Sequence, residues 1–369
     1  MNTLELTEFP DVEIASQIAN HKEVWEDSAN LISAYADRIN KGRVRVKYQQ
    51  TEVNGTPFGR AYPRPYIHSC VYQWNKVRST LFSKTEYDVD IKSAHPNFLL
   101  NWCEEMAAKN QMSVNAFENL KHYCENREKI IEDFEICPEA IENYNTENQD
   151  NVDKKGVVKL LFTLIMFGGR VGTWRRKFGF DRDDYKIPDW FEGFQQDINY
   201  ICEKVMKEHP KRDLAIAHFR NKHGKDKAIC SKKCLSLILQ DYEYGVIYET
   251  IRYLQNKGFV VTSYNYDGFQ ILKDERIHEE LANISKPEKR IEFLVKPFCK
   301  PLDCSSGNLN KIPADYFSSI LFHRLGLNLE EIEVDGEKEV IIHPINKAGF
   351  KIKRSILKSI SLIFQVPIK

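Results

Sequence analysis

Residues 87–96 read YDVDIKSAHP and predict a β-strand that ends at a turn. Side chains on a strand alternate between its two faces, so Asp88 and Asp90 share one face while the apolar residues between them point into the core. Pro96 breaks the extended run. The pattern delivers a carboxylate at a rigid strand end, as a metal site requires. The alternative is a strand end with solvated aspartates.

A helix with two lysines on one face is predicted farther along the chain. Asp153 is a suitable N-cap, and the two glycines after Phe167 end the helix. Lys155 and Lys159 are an i, i+4 pair, and Phe167 lies two further turns along on about the same face. Two ammonium groups can hold a polyphosphate while the ring packs beside a base or sugar. The alternative is an amphipathic helix with a lysine-rich exposed edge.

A long helix followed by a β-hairpin is predicted after residue 234. Helical periodicity over residues 235–256 closes at Lys257-Gly258, with an apolar stripe of Leu235, Leu239, Tyr242 and Val246. Two β-rich runs, 259–266 and 269–272, flank Asp267-Gly268, which is a strong hairpin signal but also a common turn former. The order of strand, helical insertion, long helix and hairpin predicts an α+β protein whose central sheet is assembled from separated segments.

Charge is balanced overall, with 53 basic and 53 acidic residues, but it is unevenly distributed. Residues 41–78 and 207–233 are basic, and the first of these stretches interleaves its cations with aromatic residues, as a nucleic-acid groove requires. The alternative is a solvated basic face with ordinary core aromatics. Residues 101–153 are acidic, so we expect no phosphate backbone to run there. The basic residues of the first stretch are Lys41, Arg43, Arg45, Lys47, Arg60, Arg64, Lys76 and Arg78, and its aromatic residues are Tyr48, Phe58, Tyr62, Tyr66, Tyr72 and Trp74.

Composition excludes several classes of protein. An apolar content of 42% and an aromatic content of 12% are too high for a wholly disordered chain of 369 residues. No run of about 18 apolar residues predicts a membrane span. The N-terminal residues do not have the pattern of a secretory signal, and the nine cysteines have no disulfide-framework spacing. We therefore expect a soluble intracellular protein with no membrane partner.

The three patterns together, in this order, resemble motifs A, B and C of the family A DNA polymerases. The family's strand motif, roughly Asp-x-Ser-x-x-Glu, corresponds to Asp90 followed by Ile91-Lys92-Ser93-Ala94-His95. Its helix motif, Arg-x3-Lys-x7-Tyr-Gly, falls in register with Lys155, Lys159, Phe167 and Gly168, and its hairpin motif, His-Asp-Glu, corresponds to Tyr266-Asp267-Gly268. The amino-acid sequence of these motifs is most similar to that of the divergent branch encoded by transposons, polinton-like elements and viruses. The similarity spans about residues 58 to 275.

This resemblance implies a right-hand polymerase with an antiparallel palm sheet and a helical fingers insertion. The palm would comprise residues 81–100 and 235–310, and the fingers residues 101–234. Residues 1–80 would be a basic and aromatic region that contacts nucleic acid. Residues 311–369 would be an accessory region or linker, with a further hairpin suggested at 334–337 and basic residues at 347–358.

The resemblance also implies a two-metal reaction. Asp90 and Asp267 would bind two Mg²⁺ ions, for which Mn²⁺ could substitute, and the backbone carbonyl of Ile91 would complete the ligand shell. Lys159 would hold phosphate and protonate the departing pyrophosphate, with Lys155 assisting. The remaining nucleotide-binding residues would be His95, Phe167 and Gly168, of which His95 and Phe167 would form a wall against a 2′-hydroxyl.

The implied activity is template-directed extension of a DNA primer from dNTPs. Only 89 residues precede Asp90, too few for a proofreading exonuclease in addition to a nucleic-acid grip, so we expect no editing. The partners would be a DNA primer-template, dNTPs, and a helicase or other replication factor. The residues predicted to contact nucleic acid are Arg60, Arg64, Arg78, Gln240 and Tyr244.

Departures from the family pattern keep alternatives open. Lys155 replaces an arginine, Gly268 and His95 replace glutamates, and Thr163 or Phe162 stands where the family has an aromatic residue. A primase-like or terminal nucleotidyltransferase could use the same two aspartates, and a nucleic-acid-binding protein with a decayed palm is a non-enzyme alternative. A zinc site is a weaker hypothesis, with the candidate ligands His218, His223, Cys230 and Cys234 and, more weakly, Cys299 and Cys304.

Overall fold

A computed structural model of the chain describes residues 3–20, 29–64, 69–70, 75–147, 152–224, 227–299, 301, 327–334 and 337–344. These residues form a mixed α+β structure with antiparallel sheets, as the sequence predicts. The strands are β1 (Thr3–Glu8), β2 (Val44–Val53), β3 (Thr56–Arg64), β4 (Glu86–Ile91), β5 (Val261–Tyr264), β6 (Gly268–Leu272), β7 (Phe293–Lys296), β8 (Leu327–Val334) and β9 (Glu337–Pro344). The helices are α1 (Val12–Asn20), α2 (Ala29–Ala36), α3 (Asn75–Phe82), α4 (Ala94–Ala108), α5 (Glu118–Asp133), α6 (Pro138–Glu147), α7 (Lys154–Met166), α8 (Val171–Phe178), α9 (Phe191–Glu208), α10 (Arg212–His223), α11 (Ser231–Asn256) and α12 (Ile277–Ile284).

The central sheet has four antiparallel strands in the order β5-β6-β4-β7. Strand β4 therefore lies between strands that follow it in the chain by more than 170 residues, which confirms the prediction of a sheet assembled from separated segments. Val89 at its middle is opposite Phe269 on one side and Val295 on the other. Val89 and Phe269 are fully buried, so this row of apolar side chains fixes the register that carries Asp90.

The predicted hairpin is present, but its turn is one step earlier than predicted. Residues 265–267 form the loop between β5 and β6, and Tyr266 rather than Gly268 has the left-handed conformation, with φ of 70°. Gly268 is the first residue of β6 and is opposite Asp90. A Cβ atom on Gly268 would lie 2.1 Å from the carbonyl oxygen of Val89. Glycine is therefore required by the close approach of β4 and not by the turn.

Helix α7 follows its sequence prediction closely. Asp153 is the N-cap, and its carboxylate accepts a hydrogen bond from the backbone N–H of Gly156 at 2.7 Å. Phe167 is the C-cap, and Gly168 follows with φ of +95°. The buried side of α7 packs into an aromatic core in which the rings of Phe162 and Tyr123 stack at 4.3 Å. This packing fixes the rotation of α7, so its lysines face away from the core.

The apolar stripe predicted for α11 is wrong in part. Leu235 and Leu239 are buried, but Tyr242 is 45% exposed. The acidic residues on either side of it, Asp241 and Glu243, are buried instead. Helix α11 packs against β3, and polar groups of β2 and β3 satisfy these two carboxylates, which simple amphipathic periodicity does not anticipate.

The N-terminal strands form a separate antiparallel sheet in the order β1-β2-β3. On β2, Arg45 and Lys47 are exposed, whereas Tyr48 is fully buried and contacts Tyr264 edge-on at 5.6 Å. The interleaved cations and aromatic residues therefore reflect the alternation of exposed and buried side chains along a strand. Phe58 is buried too, so neither Tyr48 nor Phe58 presents a face for a stacked base. The predicted aromatics Tyr66, Tyr72 and Trp74 lie outside the described residues.

The C-terminal region contributes one more hairpin. Strands β8 and β9 pair antiparallel with Val334 opposite Glu337, which confirms the hairpin suggested there. The basic residues of 347–358 lie outside the described part of the chain. Among the described helices, none has both the length and the apolar composition needed to cross a membrane.

Candidate functional site

A cleft of about 670 Å³ lies between the central sheet and helices α5 and α7. Strand β4 and the hairpin loop form one wall, and the exposed side of α7 forms the other. Eight of the residues singled out in the sequence line this cleft: Arg60, Asp90, Ile91, His95, Lys155, Lys159, Phe167 and Asp267. Folding therefore brings the three sequence patterns to one place.

Asp90 and Asp267 are neighbours although they are far apart in sequence. Asp90 is opposite Gly268 in the sheet, and the backbone N–H of Ile91 donates a hydrogen bond to the carbonyl oxygen of Asp267 at 2.9 Å. Burial, together with the negative charge of Asp90, raises the pKa of Asp267. Two neighbouring carboxylates supply the kind of oxygen donor that Mg²⁺ and Mn²⁺ prefer. Within the described residues, no group of three or more His, Cys, Asp or Glu side chains is arranged to hold a metal ion, so this site offers two carboxylates.

Lys296 lines the cleft, although the sequence did not predict a role for it. It ends β7, and its Nζ lies 3.1 Å from Oδ2 of Asp90. Burial would lower the pKa of Lys296, but the carboxylate of Asp90 raises it above its ordinary value. The sequence carried no signal for this contact, because β7 becomes a neighbour of β4 only through the order of strands in the sheet.

Asp88 does not share the site with Asp90, although both are on one face of β4. It is buried, and burial raises its pKa despite the nearby cations. Arg78 of α3 places its guanidinium 4.0 Å from the Asp88 carboxylate. Arg78 was predicted to contact nucleic acid, but its side chain is only 17% exposed and faces Asp88, so that prediction does not fit the structure.

The two lysines of α7 differ in their partners. Nζ of Lys155 lies 2.6 Å from Oε2 of Glu128 on α5. Lys159 has no carboxylate within 4 Å among the described residues, and it is half-buried. Burial and repulsion from Arg127 and Lys155 lower the pKa of Lys159. A half-buried ammonium without a counter-ion is prepared to accept an anionic ligand.

Position 163, rather than 162, faces the cleft. Phe162 is fully buried in the aromatic core. Thr163 is exposed and lines the cleft, with its hydroxyl donating to the carbonyl oxygen of Lys159 at 2.9 Å. The residue four positions beyond Lys159 is therefore the small polar side chain, and the aromatic residue at the cleft is Phe167.

His95 and Phe167 meet as the sequence hypothesis requires, and a buried glutamate supports them. The two rings are edge to face with centroids 5.3 Å apart. Nε2 of His95 lies 2.8 Å from Oε2 of Glu243, whose carboxylate also accepts two hydrogen bonds from Arg60, at 2.7 and 3.1 Å. Burial would raise the pKa of Glu243, but His95 and Arg60 hold it below its ordinary value.

The role of Glu243 in the cleft was not predicted, because a single glutamate within an apolar stretch of a helix has no recognisable sequence pattern. The only hint is that two acids interrupt an otherwise apolar stretch of α11. Asp241 accepts hydrogen bonds from the backbone N–H of Gly59 at 2.9 Å and from the side chain of Gln50 at 3.0 Å. The pair therefore holds β3, and with it Arg60, against the cleft.

The other residues predicted to contact nucleic acid are not in the cleft. Arg64 is exposed at the end of β3. Gln240 is half-buried and donates a hydrogen bond to Ser236 at 2.9 Å. Tyr244 is 2% exposed and packs on Tyr264, so it is a core residue and not a minor-groove contact.

Gly168 and the proposed zinc ligands also have other surroundings. Gly168 is not among the cleft-lining residues; its left-handed φ shapes the end of α7 beside Lys232. His218, His223, Cys230 and Cys234, all within the described residues, do not come together as a metal-binding group. Cys299 is exposed and its Sγ lies 3.0 Å from the hydroxyl of Ser79, while Cys304 lies outside the described residues.

The cleft thus has an acidic wall, a basic wall and a histidine–phenylalanine corner. The charged walls and the ring corner of this cleft, together with the order of the three sequence motifs, are the features that bear on function. A scan against models of known protein families finds no match to the chain. A search of curated proteins finds no match either.

Proposed function

We propose that the chain is a template-directed DNA polymerase that transfers nucleotides from dNTPs to a primer 3′-hydroxyl. In this proposal the sheet β5-β6-β4-β7 is the palm and the helical insertion before α11 is the fingers. One observation carries it. Asp90 and Asp267 meet at adjoining strand ends and face the lysines of α7 across a single cleft.

The acidic wall would hold the metal ions. Asp90 and Asp267 supply hard oxygen donors, and the backbone beside them, including Ile91, supplies further oxygens. Two bound Mg²⁺ ions, or Mn²⁺ in their place, would lower the pKa of the primer 3′-hydroxyl and offset the charge of the triphosphate. Lys296 pairs with Asp90 and so would compete with a cation for the same carboxylate.

The basic wall would hold the triphosphate. Lys159 has no carboxylate partner among the described residues and is therefore suited to bind phosphate and to give its proton to the departing pyrophosphate. Its lowered pKa makes that proton transfer easier. Lys155 would assist from one turn earlier, with its position set by Glu128.

The histidine–phenylalanine corner would contact the sugar. The rings of His95 and Phe167 meet edge to face, and the carboxylate of Glu243 lies 2.8 Å from Nε2 of the imidazole. A ribose 2′-hydroxyl would meet this corner, so we propose that the corner favours deoxynucleotides. The primer-template would lie along exposed cations of the N-terminal sheet such as Arg45, Lys47 and Arg64, in place of the half-buried Arg78 and the buried Tyr244.

The test is primer extension with Mg²⁺ by the wild type, Asp90→Asn and Asp267→Asn. Each substitution should reduce incorporation by about a thousandfold or more, because a metal-binding carboxylate is lost. The matched control is Asp213→Asn, which changes an aspartate of α10 whose side chain is 84% exposed. Wild-type extension by either palm variant would exclude the proposal.

The same assay separates the rival functions. Incorporation that follows the template sequence supports a polymerase. Incorporation onto a single-stranded end without a template would indicate a terminal nucleotidyltransferase, and synthesis without a primer would indicate a primase-like enzyme. Nucleic-acid binding with no metal-dependent incorporation by any form would indicate a decayed palm.

A further inference from the structure

We propose that Arg127 is a third phosphate-binding residue of the cleft and contacts the triphosphate of the incoming nucleotide. The inference deepens the proposed function and rests on it. The sequence pattern does not predict this role, because Arg127 lies within the acidic stretch 101–153, where no phosphate contact is expected.

Arg127 follows a break in α5 and lines the cleft. Asn126 has non-helical backbone angles, φ −115° and ψ 16°, in the middle of the helix. The next residue, Arg127, directs its side chain into the cleft that also contains Lys155 and Lys159. Arg127 also lines an adjoining cavity of about 450 Å³, so it stands at the partition between the two spaces.

Two contacts hold the guanidinium in place. Its Nε donates to the hydroxyl of Tyr123 at 3.2 Å, and its Nη1 donates to the hydroxyl of Ser93. The side chain is only 17% exposed. An arginine whose rotamer is already fixed loses little conformational entropy when it binds a ligand.

The charges on this wall are not balanced by protein groups. Three cations, Arg127, Lys155 and Lys159, face the cleft together with one carboxylate, that of Glu128. Glu128 is bonded to Lys155 at 2.6 Å and lies 4.0 Å from Arg127. Arg127 and Lys159 are therefore left without a hydrogen-bonded carboxylate among the described residues, and a polyphosphate would supply the missing negative charge.

A purely structural role for Arg127 makes a different prediction. Through Ser93, which follows β4, Arg127 connects the sheet side of the cleft to α5. If this connection is all that matters, Ser93→Ala should have the same effect as removing the arginine. If the guanidinium binds phosphate, Ser93→Ala leaves it in place and nucleotide affinity is retained.

The experiment is equilibrium binding of dATP, dAMP and inorganic tripolyphosphate to the full chain, with Ca²⁺ present to prevent turnover. For Arg127→Met we expect dATP and tripolyphosphate to bind roughly ten- to hundredfold more weakly, which is the range for a lost charge-assisted hydrogen bond. Binding of dAMP should change by less than about twofold, since it lacks the outer phosphates. Arg127→Lys should recover part of the loss, and Ser93→Ala, which leaves the Tyr123 contact of the guanidinium, should weaken dATP binding by no more than about threefold.

Unchanged dATP binding by Arg127→Met, or an equal loss in Ser93→Ala, would overturn the inference. If Arg127→Met does not fold, a dATP affinity of Arg127→Lys equal to that of the wild type, with the planar fork lost, would also overturn it. The primer-extension assay keeps the two proposals apart. Tripolyphosphate binding that depends on Arg127 in a protein that extends no primer would retain the phosphate site and remove the polymerase.

Discussion

At the scale of single residues, the geometry of the cleft depends on a few positions where a charged group must be paired or where a side chain does not fit. Lys296 pairs with Asp90, with 3.1 Å between their charged atoms. Gly268 lets β4 and β6 come close enough to put Asp90 beside Asp267. Each of these observations leads to a measurable effect.

Replacing Lys296 with methionine should strengthen binding of a divalent cation. The substitution removes the positive charge that competes for Asp90, so we expect Mn²⁺ affinity to rise about tenfold, on the order of 1.4 kcal/mol. Titration of Mn²⁺ followed by electron paramagnetic resonance measures this without any turnover. Lys186→Met is the control, since Lys186 is exposed and pairs with Glu135 outside this cleft. Equal Mn²⁺ affinity in the wild type and Lys296→Met would contradict the assignment of Asp90 as a metal ligand.

Replacing Gly268 with alanine should destabilise the protein by about 2 kcal/mol or more. The new Cβ would lie 2.1 Å from the backbone carbonyl oxygen of Val89, so β4 and β6 would have to separate. Gly245→Ala is a matched control, because Gly245 is exposed on α11 and nothing lies within 4 Å of its added Cβ. That control should be neutral or stabilising by about 0.5 to 1 kcal/mol. Urea unfolding compares the two, and similar free energies of unfolding for both variants would show that the strands tolerate a Cβ.

At the scale of secondary-structure elements, the start of α4 and the end of α7 form the histidine–phenylalanine corner. Asp153 begins α7 and Phe167 ends it, so the helix length places the Phe167 ring against His95. The aromatic core around Phe162 fixes the rotation of α7 and leaves Thr163 toward the cleft. The proposed selection against ribose therefore depends on the contact between these two helix ends.

Replacing His95 with alanine should weaken discrimination against ribonucleotides. The substitution removes one ring of the corner, so a 2′-hydroxyl would meet less obstruction, and we expect the ratio of dATP to ATP incorporation to fall about tenfold or more. Single-nucleotide incorporation gives the two values of kcat/KM. Thr163→Ala, which changes a cleft residue outside the corner, should leave the ratio within about twofold. An unchanged ratio in His95→Ala would remove the proposed role of the corner.

At the scale of the whole molecule, a buried polar layer joins the N-terminal sheet to the central sheet. Glu8, fully buried, accepts hydrogen bonds from Tyr35 at 2.7 Å and from Ser69 at 2.8 Å. Glu86 on β4 is buried as well and accepts one hydrogen bond, from Thr262 at 2.9 Å, while its other oxygen has no partner among the described residues. Burial raises the pKa of Glu86 to about 8.

Because the fold holds Glu86 protonated, we expect the free energy of unfolding to fall as the pH rises. In the unfolded chain Glu86 releases its proton near its ordinary pKa of 4.5, but in the folded protein it holds the proton until about pH 8. The unfolded state therefore binds fewer protons between these values, and the free energy of unfolding falls across this window. Glu86→Gln should remove this contribution and be more stable than the wild type at pH 9 by about 1 to 3 kcal/mol.

Urea unfolding at pH 5 and pH 9 measures the change. Glu279→Gln, at an exposed position of α12, should follow the wild type at both pH values. If Glu86→Gln loses as much stability between pH 5 and pH 9 as the wild type does, the glutamate is not held protonated by the fold.

Local patterns in the sequence determined the elements and the chemical groups of the cleft. Asp153, the Lys155–Lys159 pair and the glycines after Phe167 predicted α7 within one residue at its end, because capping and helical spacing depend on near neighbours. The alternation around Asp90 predicted β4, and Asp267-Gly268 predicted a hairpin, for the same reason. The α+β class followed from the order of these elements.

Tertiary structure alone decided which groups meet and which are buried. Lys296 reaches Asp90 through the strand order, Glu243 reaches Arg60 through the packing of α11 on β3, and Arg127 reaches the cleft through the packing of α5 against α7. The same long-range packing buries Tyr244 and pairs Arg78 with Asp88. Local sequence patterns involve residues that are close together along the chain. These contacts join residues that are far apart along the chain, and burial and charge pairing in the folded structure determine which of them form.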